Sequence, residues 1–288
     1  MIPLGLLPHT VLLGINQTHI RFLTYFELVL TVALHYGGFI LVLPVLALLL
    51  RAKEQSWYTI LQVVTEPVVL SAYKVTFLTA GLAALINCFF GLILAWILVR
   101  YRFPGKRALD AAVDLPFALP TSVGGLTLMT VYSDKGWMGP ICSWLGIKIA
   151  FSRLGVLMAM MFVSLPFIVR TIQPVLESME EEIEEAAWCI GASPWTTFWH
   201  VLFPPMISPL LTGTALGFSR AIGEYGSIVL VASNIPMKDL VVSVLIFQRL
   251  EQYDYKGATA IASVVLIVSF VILLIINYIY LRRQALTK

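Results

Sequence analysis

From Val69 to Val99 the chain is apolar almost without interruption, and Lys74 is its one charged residue. A helix needs about 20 apolar residues to cross about 30 Å of hydrocarbon, so this run can span a bilayer with length to spare. A barrel strand would alternate apolar and polar residues, and a soluble surface helix would keep a polar stripe. This run does neither. Five further stretches read the same way, giving six spans: Leu28–Leu50, Val69–Val99, Leu109–Tyr132, Leu154–Val175, Ser208–Ala232 and Ala258–Leu281. Composition agrees, with 59% hydrophobic and 12% charged residues and a mean hydropathy of +0.89. Soluble domains run near about 45–50% apolar and about 25% charged. The expected fold class is therefore an all-α polytopic membrane protein with six transmembrane helices, and the lipid bilayer is its solvent.

The second span is long enough to begin near Pro67. The third and fifth are the least oily. One holds Pro116, Pro120, Thr121, Ser122, Gly124 and Gly125, and the other holds Arg220 and Glu224. Such helices face the protein interior more often than lipid. Orientation follows from Lys and Arg near the span ends. "RYRFPGKR" (100–107) packs four basic residues into eight positions, and "LRRQALTK" closes the chain with three more. With six spans both segments fall on one side, expected to be cytoplasmic, with both termini inside. The opposite side also carries basic residues, spread over three longer loops. The N-terminal "MIPLGLLPHTVLLGINQTHIRF" has neither a charged n-region nor an A-x-A site, so insertion through the first helix is expected. A net charge of +3 without a basic arm gives no nucleic-acid surface. Cys88, Cys142 and Cys189 make no disulfide framework.

One segment departs from the oily pattern. Between Glu177 and Glu185 stand six carboxylates, and no Lys or Arg occurs between Arg170 and Arg220. "PVLESMEEEIEEAAWCIG" reads as a helix running from the end of the fourth span to Gly191, with acids favoured near its positive end. Gly191 suits a left-handed helix end. Ser193 can cap a second short helix whose first position suits Pro194. Trp195, Phe198 and Trp199 would make an aromatic stripe, and Phe203-Pro204-Pro205 would end that helix. Small Ala186, Ala187 and Gly191 permit close approach. Trp195 and Trp199 either anchor in a partner's pocket or rest at the lipid headgroups.

The spacing within this segment is specific. Glu185-Ala186-Ala187, three residues, Gly191, nine residues and Val201-x-Phe203-Pro204 resembles the E-A-A-x3-G-x9-I-x-L-P signature of binding-protein-dependent ABC importer permeases. Val201 and Phe203 replace the signature's Ile and Leu. Further stretches resemble the sulfate/thiosulfate permease subgroup in its CysT-like branch: "AWILVRYRFPGKRALDAAVDLPFALPTSVGGLTL", "SLPFIVRTIQPVL", "GFSRAIGEYGSIVLVASNIP" and "LIFQRLEQYDYKGATAIA". The resemblance runs from about Val69 to Arg283, and the molybdate permeases are similar. It implies a type I ABC importer (MetI-like) permease fold with a cytoplasmic coupling helix. Glu185, Ala186, Ala187, Gly191, Trp195 and Pro204 would then couple to a separate ATPase. It divides the chain into an N-terminal segment 1–27, a first transmembrane helix with external loop 28–66, a permease core 67–283 with coupling loop 176–205, and a tail 284–288. The implied partners are ABC ATPase subunits, a second homologous permease subunit and an extracytoplasmic sulfate-binding protein. ATP and Mg belong to the ATPase, and no cofactor is expected here.

The pathway is less legible. Arg220 and Glu224, four apart, can pair on one helix face, either to lock the span or to attract and hold an anion beside Ser219. "LPTSVGG" (119–125), with Thr121 and Ser122, either lines a pore or packs through small residues. Arg170 and Lys74 are expected to snorkel at helix ends. "SNIPMKDL" and "GWMGPICSW" lie on the far side, where they contact a binding protein or only cover span ends.

Other classes fit poorly. There is no H-E-x-x-H or G-x-S-x-G, and His9, His19, His35 and His200 have no metal spacing. There is no G-x-x-x-x-G-K-[ST], so ATP hydrolysis would reside on another chain. The expected function is sulfate or thiosulfate import by alternating access. The alternatives are a molybdate/tungstate permease and an ion-coupled secondary anion transporter, which leaves the Glu185–Pro204 spacing unexplained.

Overall fold

In the computed structural model, which describes residues 28–286, every regular element is helical. The expectations for segment 1–27, His9, His19 and Lys288 lie outside the described residues. The chain divides into two units, Met1–Ser56 and Trp57–Lys288. The described part of the first is α1, Leu28–Lys53, long and apolar enough to span a membrane. Its Gly38–Val42 segment widens into a π turn ahead of Leu43-Pro44.

The second unit contains α2 (Trp57–Val64), α3 (Pro67–Arg100), α4 (Lys106–Val113), α5 (Leu115–Ala118), α6 (Thr121–Tyr132), α7 (Gly139–Trp144) and α8 (Arg153–Glu177). It continues with α9 (Glu181–Cys189), α10 (Pro194–Ile222), α11 (Ile228–Val231), α12 (Val242–Glu251) and α13 (Tyr255–Leu286). Pro67 opens α3, as its missing N–H allows.

Two buried clusters give the direction of each pass. One gathers Val69 and Val75 of α3, Val156 and Met160 of α8, Ile222 of α10, Val242 of α12 and Ile261 of α13. The other gathers Leu98 of α3, Val113 of α4, Ile172 and Leu176 of α8, and Met206 of α10. Helices α3 and α8 therefore run the same way, and α10 runs against them. Between α3 and α8 the chain must return. It does so from Val113 in the second cluster to Leu128, packed on the first.

That return is where the expected third span fails as a single helix. Five described helices are long and apolar enough to cross a membrane, and the third pass is made instead by α4, α5 and α6. Asp114 is at once the end of α4 and the cap of α5. Leu119 is extended at ψ 138°, and Pro120 follows at ψ 135°. A residue before proline is pushed out of the helical region, and proline has no N–H to carry a helix on.

Three other boundaries differ from the sequence reading. The fifth span ends at Ile222 rather than Ala232, because Gly223 and the Glu224 side chain break the ladder before α11. The acidic helix starts afresh at Glu181 after a turn at Ser178–Glu180. Finally, Pro204 and Pro205 do not end the second short helix, which continues through them as the rest of α10. A π turn over Phe198–Leu202, closed by Phe203 N–H to Phe198 O, precedes them. The wider turn frees the carbonyls one turn back, with which proline rings would otherwise clash.

Small residues and one polar contact bring α3, α8 and α10 close. Ile168 of α8 fills the space left by three glycines. A Cβ on Gly91 would come 2.8 Å from its Cγ2, one on Gly213 2.9 Å from its Cα, and one on Gly217 2.8 Å from its Cδ1. Asn87 of α3 donates to Met161 O at 2.8 Å and to Ser164 Oγ at 2.9 Å. Buried between helices, such bonds contribute about 0.6 kcal/mol each on average.

Candidate functional site

The acidic segment folds into a helical corner through local devices. Glu181, Glu182 and Glu184 occupy the first turn of α9, where the helix dipole favours them. At its other end Gly191 takes φ +88°. Gly191 N–H donates to Trp188 O at 2.9 Å, and Ala192 N–H donates to Ala187 O at 3.0 Å. This is a complete Schellman motif, which satisfies carbonyls a helix end leaves open. Ser193 Oγ then accepts Thr196 N–H at 3.2 Å, and Pro194 sits in the first turn. Both capping expectations hold.

Ala187 is buried at the base of the corner, whereas Glu185, Ala186 and Gly191 are exposed. Ile190 is 87% exposed and Trp195 71%. Sequence reasoning missed Ile190, although its place one residue before the turning glycine was a usable signal. Glu184 also faces inward to Arg100, Nη2 to Oε1 2.8 Å, and that guanidinium lies 5.6 Å from the Trp96 ring centroid. Trp96, Arg100, Glu181, Glu184, Glu185 and Trp188 frame a hollow of about 320 Å³.

The aromatic stripe turns the other way. Trp195 and Trp199 rings are 5.6 Å apart and Trp199 and Phe203 rings 4.7 Å apart, while Phe198 meets Trp96 at 5.5 Å. With Leu85, Phe89 and Leu92 of α3 they line an apolar groove. Trp195 is thus shared between the corner and the groove. Exposed Pro204 lies beyond the π turn and takes no part in the corner.

The second group of predicted residues is brought together from distant segments. Arg220 Nη1 pairs with Glu224 Oε2 at 2.7 Å. They are not on one helix face, since α10 ends between them. Glu224 is 1% exposed. Its Oε1 accepts Ser227 N–H at 2.9 Å and Ser227 Oγ–H at 2.7 Å, and Ser243 of α12 donates to its backbone carbonyl at 2.6 Å. The "LPTSVGG" segment closes on the same loop. A Cβ on Gly226 would fall 2.2 Å from Thr121 Oγ1 and 3.1 Å from Ser122 N, and one on Gly125 2.6 Å from Ser227 Cα. Thr121 and Ser122 therefore touch the segment that carries Glu224. Ser219 is half-buried, and its hydroxyl donates to Ala215 O at 2.9 Å, back along its own helix.

Arg170 does not snorkel. Asp110 and Asp114, an acidic pair four apart on the broken third pass, hold it with Nη1 to Asp110 Oδ1 at 2.6 Å and Nη2 to Asp114 Oδ2 at 2.6 Å. Exposed Lys74, near the start of α3, fits a helix-end position. On the far side Asp239, buried in the loop after α11, accepts from Ser233 and from Ile235 N–H. Trp137, just before α7, and Trp144, its last residue, are each 84% exposed.

The family described as "Binding-protein-dependent transport system inner membrane component" matches residues 87–285, a stretch that contains the corner and the buried cluster. The chain belongs to this permease family. Over all 288 residues it is 86% identical to a "Probable sulfate transport system permease protein cysT" of Zygnema circumcarinatum, covering 100% of both chains. It is 59% identical over 246 residues to the "Sulfate transport system permease protein CysT" of Synechocystis, covering 85% of this chain and 86% of that one. The same fold occurs in a bacterial alginate ABC transporter, with TM-score 0.73 and 20% identity over 93% of this chain and 96% of the other. The permease is an integral membrane protein of CysT-like type, and its signature residues Glu185, Ala186, Ala187 and Gly191 all fall in one surface corner.

Proposed function

We propose that this permease is the membrane-spanning subunit of an ATP-driven importer that moves sulfate or thiosulfate by alternating access. One observation carries the proposal: the Glu185–Gly191 spacing coincides with a rigid, exposed corner bearing Ile190, on a chain with no phosphate-binding loop of its own. A separate ATPase, holding ATP and Mg, docks on this corner. A second, similar permease subunit completes the pathway, and an extracytoplasmic sulfate-binding protein delivers the anion to the side bearing Trp137, Trp144 and the Asp239 loop. The expected division into four segments belongs to the same reading.

Within the pathway, Arg220 supplies the positive charge for the anion, with Ser219, Thr121 and Ser122 nearby and Glu224 fixing its position. A carboxylate at 2.7 Å holds a guanidinium in place and offsets its charge. The site would therefore attract a divalent anion without trapping it. Sulfate is favoured over molybdate or tungstate by the names of the relatives at 86% and 59% identity. The higher identity to the Zygnema protein favours a plastid membrane over a bacterial one. An ion-coupled transporter would leave the exposed corner without a use.

The test is uptake into vesicles carrying this chain with its partners, with labelled sulfate and excess molybdate as competitor. Uptake should require ATP and resist molybdate. Uptake that needs an ion gradient but no ATP would overturn the proposal.

A further inference from the structure

Three helices meet at Arg170, and its surroundings have a geometry that charge neutralisation alone does not require. All five guanidinium N–H donors are used. Nε and Nη2 grip the two Asp114 oxygens at 2.8 and 2.6 Å. Nη1 donates to Asp110 Oδ1 at 2.6 Å and to Gln173 Oε1 at 2.5 Å, and Nη2 also reaches the Asp110 backbone carbonyl at 2.8 Å. That carbonyl belongs to the last turn of α4, and the capping Asp114 N–H, its usual partner four residues on, bonds to Ala111 O instead. Gln173 in turn donates to Asp110 at 3.2 Å. One cation faces two carboxylates, so the arrangement overshoots neutrality and instead fixes a planar fork in one orientation.

The residue it grips hardest sits at a bend. Asp114 joins α4 to α5, the first break in the third pass. Seven residues further on stands Thr121, pressed against Gly226, and the loop there continues through Ser227 to Glu224 and Arg220. In the other direction, α8 runs from Arg170 to Glu177 and, after one turn, into α9. Anchoring alone is already supplied at this end, where Val113, Ile172 and Leu176 share the buried cluster. The clamp lies outside that cluster, with side-chain exposures of 31% for Arg170 and 48% for Asp114.

We infer that Arg170 is a positioning residue: it ties the bend at Asp114 to the helix that leads into the coupling corner, so that displacement of α9 reaches Thr121 and Ser122. This rests on the reading of Glu185–Gly191 as the coupling element. A contiguous chain of packed and hydrogen-bonded groups is the physical route such coupling needs, and perturbing it is the test.

In membranes carrying the whole transporter, sulfate uptake and ATP hydrolysis are measured together for Arg170→Lys and Asp114→Asn. Lys keeps the charge but lacks the planar fork. Both variants should insert at normal levels and hydrolyse ATP at near-normal rates, while sulfate moved per ATP falls about tenfold, the scale of one lost charge-assisted hydrogen bond. Exchanging the charges, Arg170→Asp with Asp114→Arg, should restore part of that ratio. Normal uptake in the single variants would overturn the inference. So would uptake and hydrolysis falling in equal proportion, or loss of both variants from the membrane. Glu185→Lys runs alongside: normal uptake there would remove the coupling reading itself, whatever the clamp variants do.

Discussion

The coupling corner and the buried cluster around Glu224 are built in opposite ways. The corner is contiguous, and its devices are short-range. Ser193 caps Thr196, Gly191 turns the chain alone, and Ala192 bonds back to Ala187. The cluster draws on Thr121–Gly125, Arg220–Ser227 and Ser243, and its members meet only after the bundle has packed. A surface that docks a partner must hold its shape while exposed, so its rigidity has to come from its own backbone. A charge pair inside a membrane protein must instead be surrounded, and partners from several helices do that.

The difference can be broken first at the cluster, where the largest loss of stability is expected. Arg220→Ala leaves the Glu224 carboxylate, 1% exposed, without its cation. Stripping one partner from a buried pair costs about 3–5 kcal/mol, which should appear as reduced protein in the membrane and a lower Tm in detergent. Arg220→Met with Glu224→Gln removes both charges and should recover most of the protein. Uptake should stay lost, because the charge that meets the anion is gone. Recovery of uptake in the double variant would make the pair purely structural.

Glycine substitutions sharpen the same contrast. Gly125→Ala would drive a methyl to within 2.6 Å of the Ser227 backbone, and overpacking of this kind costs about 1–3 kcal/mol. Gly81→Ala on α3 meets nothing within 4 Å and should stabilise by about 0.4–1 kcal/mol through the unfolded chain. Thermal unfolding of the two purified variants should move in opposite directions.

At the corner, effects should be smaller and local. Ser193→Ala removes a cap worth about 1 kcal/mol. Amide hydrogen exchange should quicken over Trp195–Phe198 while the global Tm barely shifts. A matching shift in global Tm would mean that the corner is not autonomous.

The sequence made one region far more legible than the other, for a physical reason. Apolar run length set the spans of α1, α3, α8 and α13, because lipid thickness dictates it. The corner was readable because caps and glycine turns act over a few neighbouring residues. The third pass was only half so: Pro120 stood in plain view at its second break, whereas the first, at Asp114, is gripped by Arg170, 56 positions away. The end of α10 was missed although the partners are local: an Arg and Glu four apart suit a continuing helix, yet Glu224 leaves it to accept from Ser227 while pairing with Arg220. Arg170 itself looked like a residue at a helix end until Asp110 and Asp114 were placed beside it. The prolines at 204 and 205 misled in another way, because the π turn that admits them carries no residue signature. The same device precedes Pro44 in α1.

The central claim is that the Glu185–Gly191 corner is where an ATPase drives this permease. The measurement is ATP-dependent sulfate uptake, with membrane protein quantified in parallel, for Gly191→Val and Glu185→Lys. At φ +88° a β-branched residue cannot keep the turn. Both variants should remain fully inserted and transport nothing above background. Normal uptake by inserted protein in either variant would contradict the account.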